Sequence, residues 1–316
     1  MMPHKEVLIL TALEPRRQGS GIDAMSEQSK AASHRVARIT DSTCDIPADL
    51  LDRYDISFVP CFILWGEEAY RDRLDLAPVE FYRRLQTDPR YPSTSNPTPA
   101  HFVEAYRASL DAGAAEIVVV TVSSAMSGTF QCATQAAGMV DARVHVVDSR
   151  GPTMSLGWQV LAAARAREAG ADAAGMVAAA NKARASMVQL VALDTLEYLH
   201  KGGRIGNATR LVGSLLNVKP MVYIDHVSGL VEQAGRSRTR RHSIETLYAE
   251  FFRRLGPRRP VRVAVLHGNV PDDARALAGR IQREQAPAEL LMNITGPVLG
   301  VHTGPGALAL CGYVDD

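Results

Sequence analysis

The stretch "EIVVVTVS", Glu116–Ser123, constrains this chain more than any other. It is an almost unbroken run of β-branched residues with no polar alternation. A strand with one wet face alternates apolar and polar side chains. A run like this one fits a strand covered on both faces, as in a parallel sheet lying between layers of helices. The flanking sequence agrees. "RVARIT" (Arg35–Thr40) and "RVHVVDS" (Arg143–Ser149) are further strands, and "ISFVPCFILW" is strand-rich but broken at Pro60. Helical segments fall between them in "DIPADLLDRY", "APVEFYRRLQ" and "SSAMSGTFQCATQAAGMV". In the first of these, Asp45 or Ser42 is expected to cap a helix that Pro47 helps to start. Strand, loop and helix in repetition predict right-handed crossovers and a mainly parallel sheet.

Ligands of such sheets sit beyond the carboxyl ends of the strands. Three polar loops occupy that position: "DST" after the first strand, "SSAMSGT" after the buried one, and "DSRGPTMSLG" after the next. The second half of the chain differs. It contains an alanine-rich helical stretch and then "MVQLVALDTLEYLHKGGRIG", which predicts a strand, a helical turn and a glycine-rich loop. "PMVYIDHVSGLVEQAG" reads as a hairpin turning near Ser228-Gly229, "VRVAVLHGN" as a strand, and "PDDARALAGRIQREQ" as a helix. "PVLGVHTGPGALALCGY" closes the chain with a strand-like "VLGVH", a glycine-proline-glycine turn and a final apolar strand. The expected fold class is therefore α/β with two domains. Residues 34–160 form an N-terminal domain with a mainly parallel sheet and flanking helices, and residues 161–316 a C-terminal domain with a mixed or antiparallel sheet. Residues 1–33 are expected to be a disordered extension.

Composition narrows the function. Lys plus Arg (35) nearly balances Asp plus Glu (34), which argues against a general nucleic-acid or membrane-surface binder. No apolar stretch reaches the roughly 18 residues that a membrane span needs. Cys44, Cys61, Cys132 and Cys311 are scattered without a C-x-x-C pair, which predicts reduced, packed thiols in a cytoplasmic protein and no metal site.

Several motifs carry chemistry, each with a plain structural alternative. "PSTSNPTP" is either a stiff hydroxyl-rich ligand loop or a turn and cap before a helix. "SSAMSGT" ends the buried strand and opens a helix, so its hydroxyls and N–H groups could meet an anion or simply cap that helix. "HKGGRIG" places Lys201 and Arg204 in a glycine-rich turn that could face a phosphate or end a helix. "HTGPG" aims His302 from a backbone able to pass close to a ligand. A serine hydrolase or acyl-transferase using Ser124 and His302 is one reading. Against it, the G-x-S-x-G elbow is missing; separately, no phosphate loop or dinucleotide fingerprint is present.

Taken in order, "ITDSTCDIP", "PSTSNPTPAHF", "VTVSSAMSGTFQCA", "VHVVDSRGPTMSLGWQV", "TLEYLHKGGRIG", "KPMVYIDHVSGLVEQAGRSRT" and "GVHTGPGALAL" resemble the DegV family from about Arg35 to Tyr313. These are the fatty-acid-binding proteins that serve bacterial fatty acid kinase. The resemblance implies two α/β domains with a lipid tunnel between them and one bound long-chain fatty acid. It implies that the carboxylate is presented to a separate, dihydroxyacetone-kinase-like catalytic subunit for ATP-dependent acyl-phosphate formation. The chain itself would then have no catalytic residue, cofactor or metal. Thr94, Ser124 and His302 match the family's carboxylate-binding residues, with Ser95, Ser123 and Gly128 beside them, and Arg204 matches the basic residue expected where the kinase docks. Asn96 stands where the family usually has glutamine. A lipid-gated regulatory role is the remaining alternative.

Overall fold

The computed structural model describes residues 36–211 and 218–315, so the expectation for residues 1–33 lies outside the described residues. The first sheet is four-stranded with order β2-β1-β6-β7. It is built from β1 (Val36–Asp41), β2 (Ile56–Val59), β6 (Glu116–Thr121) and β7 (Arg143–Asp148), and every pairing is parallel. As the sequence predicts, β6 lies inside. Val118 and Val120 pack into the large core shared with the second sheet, while Ile117 and Val119 pack into a core on the opposite face. Burying a Val or Ile side chain fully is worth about 1.5–3 kcal/mol, so a run with no polar residue is stable only where both faces are covered.

The second sheet is six-stranded with order β10-β9-β8-β13-β11-β12. Its strands are β8 (Val188–Ala192), β9 (Lys219–Asp225), β10 (Leu230–Ser237), β11 (Val261–His267), β12 (Glu289–Ile294) and β13 (Leu308–Val314). Only β11 and β12 run parallel; the other pairings are antiparallel. The β9–β10 hairpin turns over His226–Gly229, as read from the sequence. The fold is thus α/β with one parallel and one mixed sheet. Helix α5 (Met154–Glu168) lies between the sheets and is buried nearly all round, with Trp158 Nε1 donating to the carbonyl of Cys311 at 3.3 Å. The boundary drawn between residues 160 and 161 falls inside this helix.

Several local expectations are corrected. Between β2 and β6 the chain builds a small antiparallel sheet, β4-β3-β5, from β3 (Phe62–Trp65), β4 (Glu68–Arg71) and β5 (Ser93–Ser95). "STS" therefore enters as an edge strand before Thr98 caps α3 (Pro99–Asp111). Helix α1 (Ala48–Arg53) has no side-chain cap at Pro47. Asp41 caps a short 3-10 turn over Ser42–Cys44, Asp45 is taken up by Arg73 and Gly296, and Ser42 Oγ donates to Asp72. The strand-like "VLGVH" is helical: α10 spans Pro297–Thr303 with proline in its first turn, and its leading residues Pro297–Val301 are all buried. With apolar neighbours on every side, such a segment shows no helical period in its sequence.

Candidate functional site

All three loops at the carboxyl ends of the parallel strands reach one cavity between the two sheets. "DST" contributes Thr43, "SSAMSGT" contributes Met126 and Ser127, and "DSRGPT" contributes Pro152 and Thr153. The buried carboxylate of Asp41 fixes two of these loops together, accepting from Val122 N at 2.7 Å and from Thr43 N at 3.0 Å. Opposite them, the second sheet supplies a floor of Val191, Leu193, Val222, Ile224, Leu266 and Ala309. The empty space there, its open mouth included, amounts to about 1070 Å³. Most of its exposed lining is apolar, and one group of its polar residues lies where α10 meets β5 and the Asn96 that follows it.

There Thr94 Oγ1 and His302 Nε2 lie 3.0 Å apart, joined across 208 residues of sequence. Burial foremost, with the Arg204 charge adding, pulls the His302 imidazole down to about 4, so it is neutral at pH 7. Its Nδ1 is buried without a partner among the described residues. Ser95 and Asn96 line the same wall. Asn96 donates through Nδ2 to the carbonyl of Pro97 at 2.9 Å, and a Cβ on Gly128 would stand 3.2 Å from its Oδ1. Arg204 also borders the cavity. Its guanidinium donates to the carbonyls of Met126 (3.2 Å) and Gly202 (2.9 Å), which ties the "KGGR" turn to the "SSAMSGT" loop.

Two of the expected serines point elsewhere. Ser124 Oγ donates to Asp148 Oδ2 at 2.5 Å and its backbone N to Oδ1 at 3.1 Å, and Ser124 is not a lining residue. Asp148 ends β7 beside Thr121 of β6, so a carboxylate stands ready where the loop leaves the sheet and claims the nearest hydroxyl. Ser123 is fully buried and donates to the carbonyl of Gly229 at 2.8 Å. The loop hydroxyl that does line the cavity is that of Ser127, 2.8 Å from Thr129 Oγ1. The serine–histidine pair a hydrolase would need is not formed, since His302 meets Thr94 and Ser124 is held by Asp148.

The glycines around His302 also work differently from expectation. Gly304 and Gly306 take left-handed backbone (φ 70 and 81) and fit against the Tyr198 ring and Asp194, not against the cavity. The position that gives His302 room is Gly202, where an added Cβ would lie 2.1 Å from Nδ1. Its φ of −77 is open to any residue, so the constraint is contact alone. Gly202→Ala is therefore expected to keep the fold, push the imidazole off Thr94, and weaken any ligand held there by about tenfold. Gly203→Ala is the control: it has φ 66 and nothing within 4 Å. It should cost about 1 kcal/mol of stability and leave ligand affinity alone. Equal affinity in the two variants would show that Gly202 does not position His302.

No helix among the described residues is long and apolar enough to cross a membrane, and no three His, Cys, Asp or Glu side chains among them group as metal ligands. The DegV family model matches residues 35–315, so the chain belongs to the DegV family. It is 38% identical over 280 residues to a DegV domain-containing protein of Streptomyces coelicolor, covering 88% of this chain and 98% of that one. Among solved structures it resembles a DegV family protein from Thermus thermophilus described for its fatty acid binding. The TM-score is 0.84 and the identity 32%, over 89% of this chain and all of that one. It also resembles DegV of Bacillus subtilis, a fatty acid binding protein, with a TM-score of 0.81 and 28% identity over 89% of this chain and 99% of that one.

Proposed function

We propose that this protein binds one long-chain fatty acid in the cavity between its sheets, with the carboxylate at Thr94 and His302. We propose further that it presents this head group to a separate ATP-dependent kinase that makes the acyl-phosphate. The observation that carries the reading is the Thr94–His302 pair set at one end of a mainly apolar cavity. A hydroxyl and a neutral imidazole can each give a hydrogen bond to a carboxylate, and such charge-assisted bonds exceed neutral ones. Ser127 is placed to assist from the helix-opening loop, while Ser124 holds that loop to Asp148. Each buried methylene of the tail adds roughly 0.8 kcal/mol, so the tail supplies most of the affinity and the head group sets its register. The fatty-acid-binding descriptions of the relatives from Thermus thermophilus and Bacillus subtilis support the same ligand class.

Arg204 is exposed beside the head group, where a cation can steer an acidic partner or meet a phosphate. We place the kinase contact there. The four unpaired cysteines support a cytoplasmic setting. Native mass spectrometry of the purified protein, followed by lipid extraction, is expected to give about one long-chain fatty acid per chain. A stoichiometric nucleotide or sugar with no lipid would overturn the reading. With a kinase supplied, Arg204→Ala should reduce acyl-phosphate formation more than it reduces lipid binding. Equal loss of both would move Arg204 into the lipid site.

A further inference from the structure

The tail end of the cavity carries a polar group that a plain hydrocarbon does not explain. Along β8 and the residue that follows it, alternate side chains face the cavity, and these are Gln189, Val191 and Leu193. The strand runs toward α7 (Glu197–Lys201) and Gly202, which lies against His302. Leu193 is therefore at the head-group end, and Gln189 is about 13 Å further along the floor at the usual rise per strand residue. Gln189 and Ile224 also border an open groove on the far side, between β7, α6 (Ala173–Ala185) and β9. That marks them as the distal end of the cavity.

Gln189 is 2% exposed, and its Oε1 has no hydrogen-bond partner among the described residues. The adjacent strand residues offer none. The residue in register on β13 is Cys311, whose thiol donates to Met187 Sδ at 3.8 Å, and the next inward-facing residue on β8 is a valine. A buried amide oxygen without a partner is costly, and an apolar residue of similar size would fill the place without that cost. A ligand with a hydrogen-bonding group at this depth would supply what the protein does not.

We propose that Gln189 reads the tail, and that the preferred ligand is a long-chain fatty acid bearing a hydroxyl toward its ω end. A hydroxyl both donates and accepts, so it satisfies whichever end of the amide faces it. An unsubstituted tail of the same length seals the amide off from any partner. This rests on the fatty-acid reading above and adds the substrate class.

The test uses delipidated protein and displacement of a fluorescent fatty acid. Octadecanoic acid is compared with octadecanoic acids carrying one hydroxyl at successive positions from mid-chain to the end. The wild type is measured beside Gln189→Met, which keeps the side-chain length, and Gln189→Leu, with a thermal melt of each. At one or two adjacent positions the hydroxyl is expected to improve wild-type affinity relative to the plain acid by about tenfold. In both variants that advantage should vanish and the plain acid should bind more tightly. If the plain acid binds but the ratio of hydroxylated to plain affinity is the same in all three proteins, Gln189 does not read the tail. If no octadecanoic acid binds at all, the fatty-acid reading itself falls.

Discussion

Asp45→Ala is expected to destabilise the protein by about 3–5 kcal/mol, the usual effect of stripping one partner from a buried ion pair. Asp45 is fully buried. It accepts a hydrogen bond from the Arg73 guanidinium and another from Gly296 N at 3.0 Å. Its own carbonyl accepts from Asn293 Nδ2 at 3.0 Å, and it holds left-handed backbone at φ 50. The neighbouring Asp72 accepts from Val298 N at 3.3 Å and from Ser42 Oγ at 2.7 Å. Two carboxylates thus satisfy amides at the start of α10, where the helix has no internal acceptors and its dipole favours negative charge. That helix carries His302. Removing Asp45 leaves a guanidinium buried without its partner and unfastens the head-group helix from the "DSTCD" turn. Urea and thermal melts should therefore show a large loss, with fatty-acid affinity falling alongside. Asp45→Asn keeps an acceptor for Gly296 and should fall between wild type and alanine. A wild-type melt for Asp45→Ala would mean that Arg73 finds another partner and that the clamp is not needed.

That clamp also shows where sequence reasoning stops. The buried strand was legible because the middle of β6, Ile117–Val120, is unbroken apolar residues, and from it followed the parallel sheet and the placing of three loops at one end. Those loops do meet at one cavity. Which atoms of a loop face inward was not legible. Ser124 and Ser127 are three residues apart in one loop, and the choice between them is made by Asp148, a carboxylate 24 residues from Ser124 that the neighbouring strand brings to the same edge. The helical state of "VLGVH" was hidden because burial on all sides removes the polar positions that would mark a turn of helix. Gly202 read as a helix end or a phosphate loop, although its demanding contact is with a histidine 100 positions later in the chain. Gln189 gave no signal at all: a lone glutamine in an apolar strand reads as an exposed position until the sheet order places it under the cavity.

His302→Ala is expected to lower fatty-acid affinity by roughly 5- to 150-fold, the equivalent of the 1–3 kcal/mol lost when a buried polar group is left without its partner. The imidazole sits at one end of the cavity, neutral because burial and Arg204 hold it at about 4. It therefore offers a donor without the cost of burying a second charge. Thr94→Val removes the other donor at nearly constant volume. Because Thr94 Oγ1 and His302 Nε2 are 3.0 Å apart and would share one carboxylate, the two losses should not add. The double variant should lose less than the sum of the singles, with a coupling of about 0.5–3 kcal/mol. Ser127→Ala should weaken binding less, since its hydroxyl is already 2.8 Å from Thr129 Oγ1. Ser124→Ala should lower the melting temperature and leave affinity near wild type, because its bonds run to Asp148. Tail burial survives in every variant, so lipid is still recovered on purification while its carboxylate is no longer fixed. Acyl-phosphate formation with a kinase should accordingly fall further than affinity does. Additive losses at Thr94 and His302 would mean that they contact different groups. A Ser124→Ala variant that bound as poorly as His302→Ala would return that serine to the head group and displace Ser127 from it.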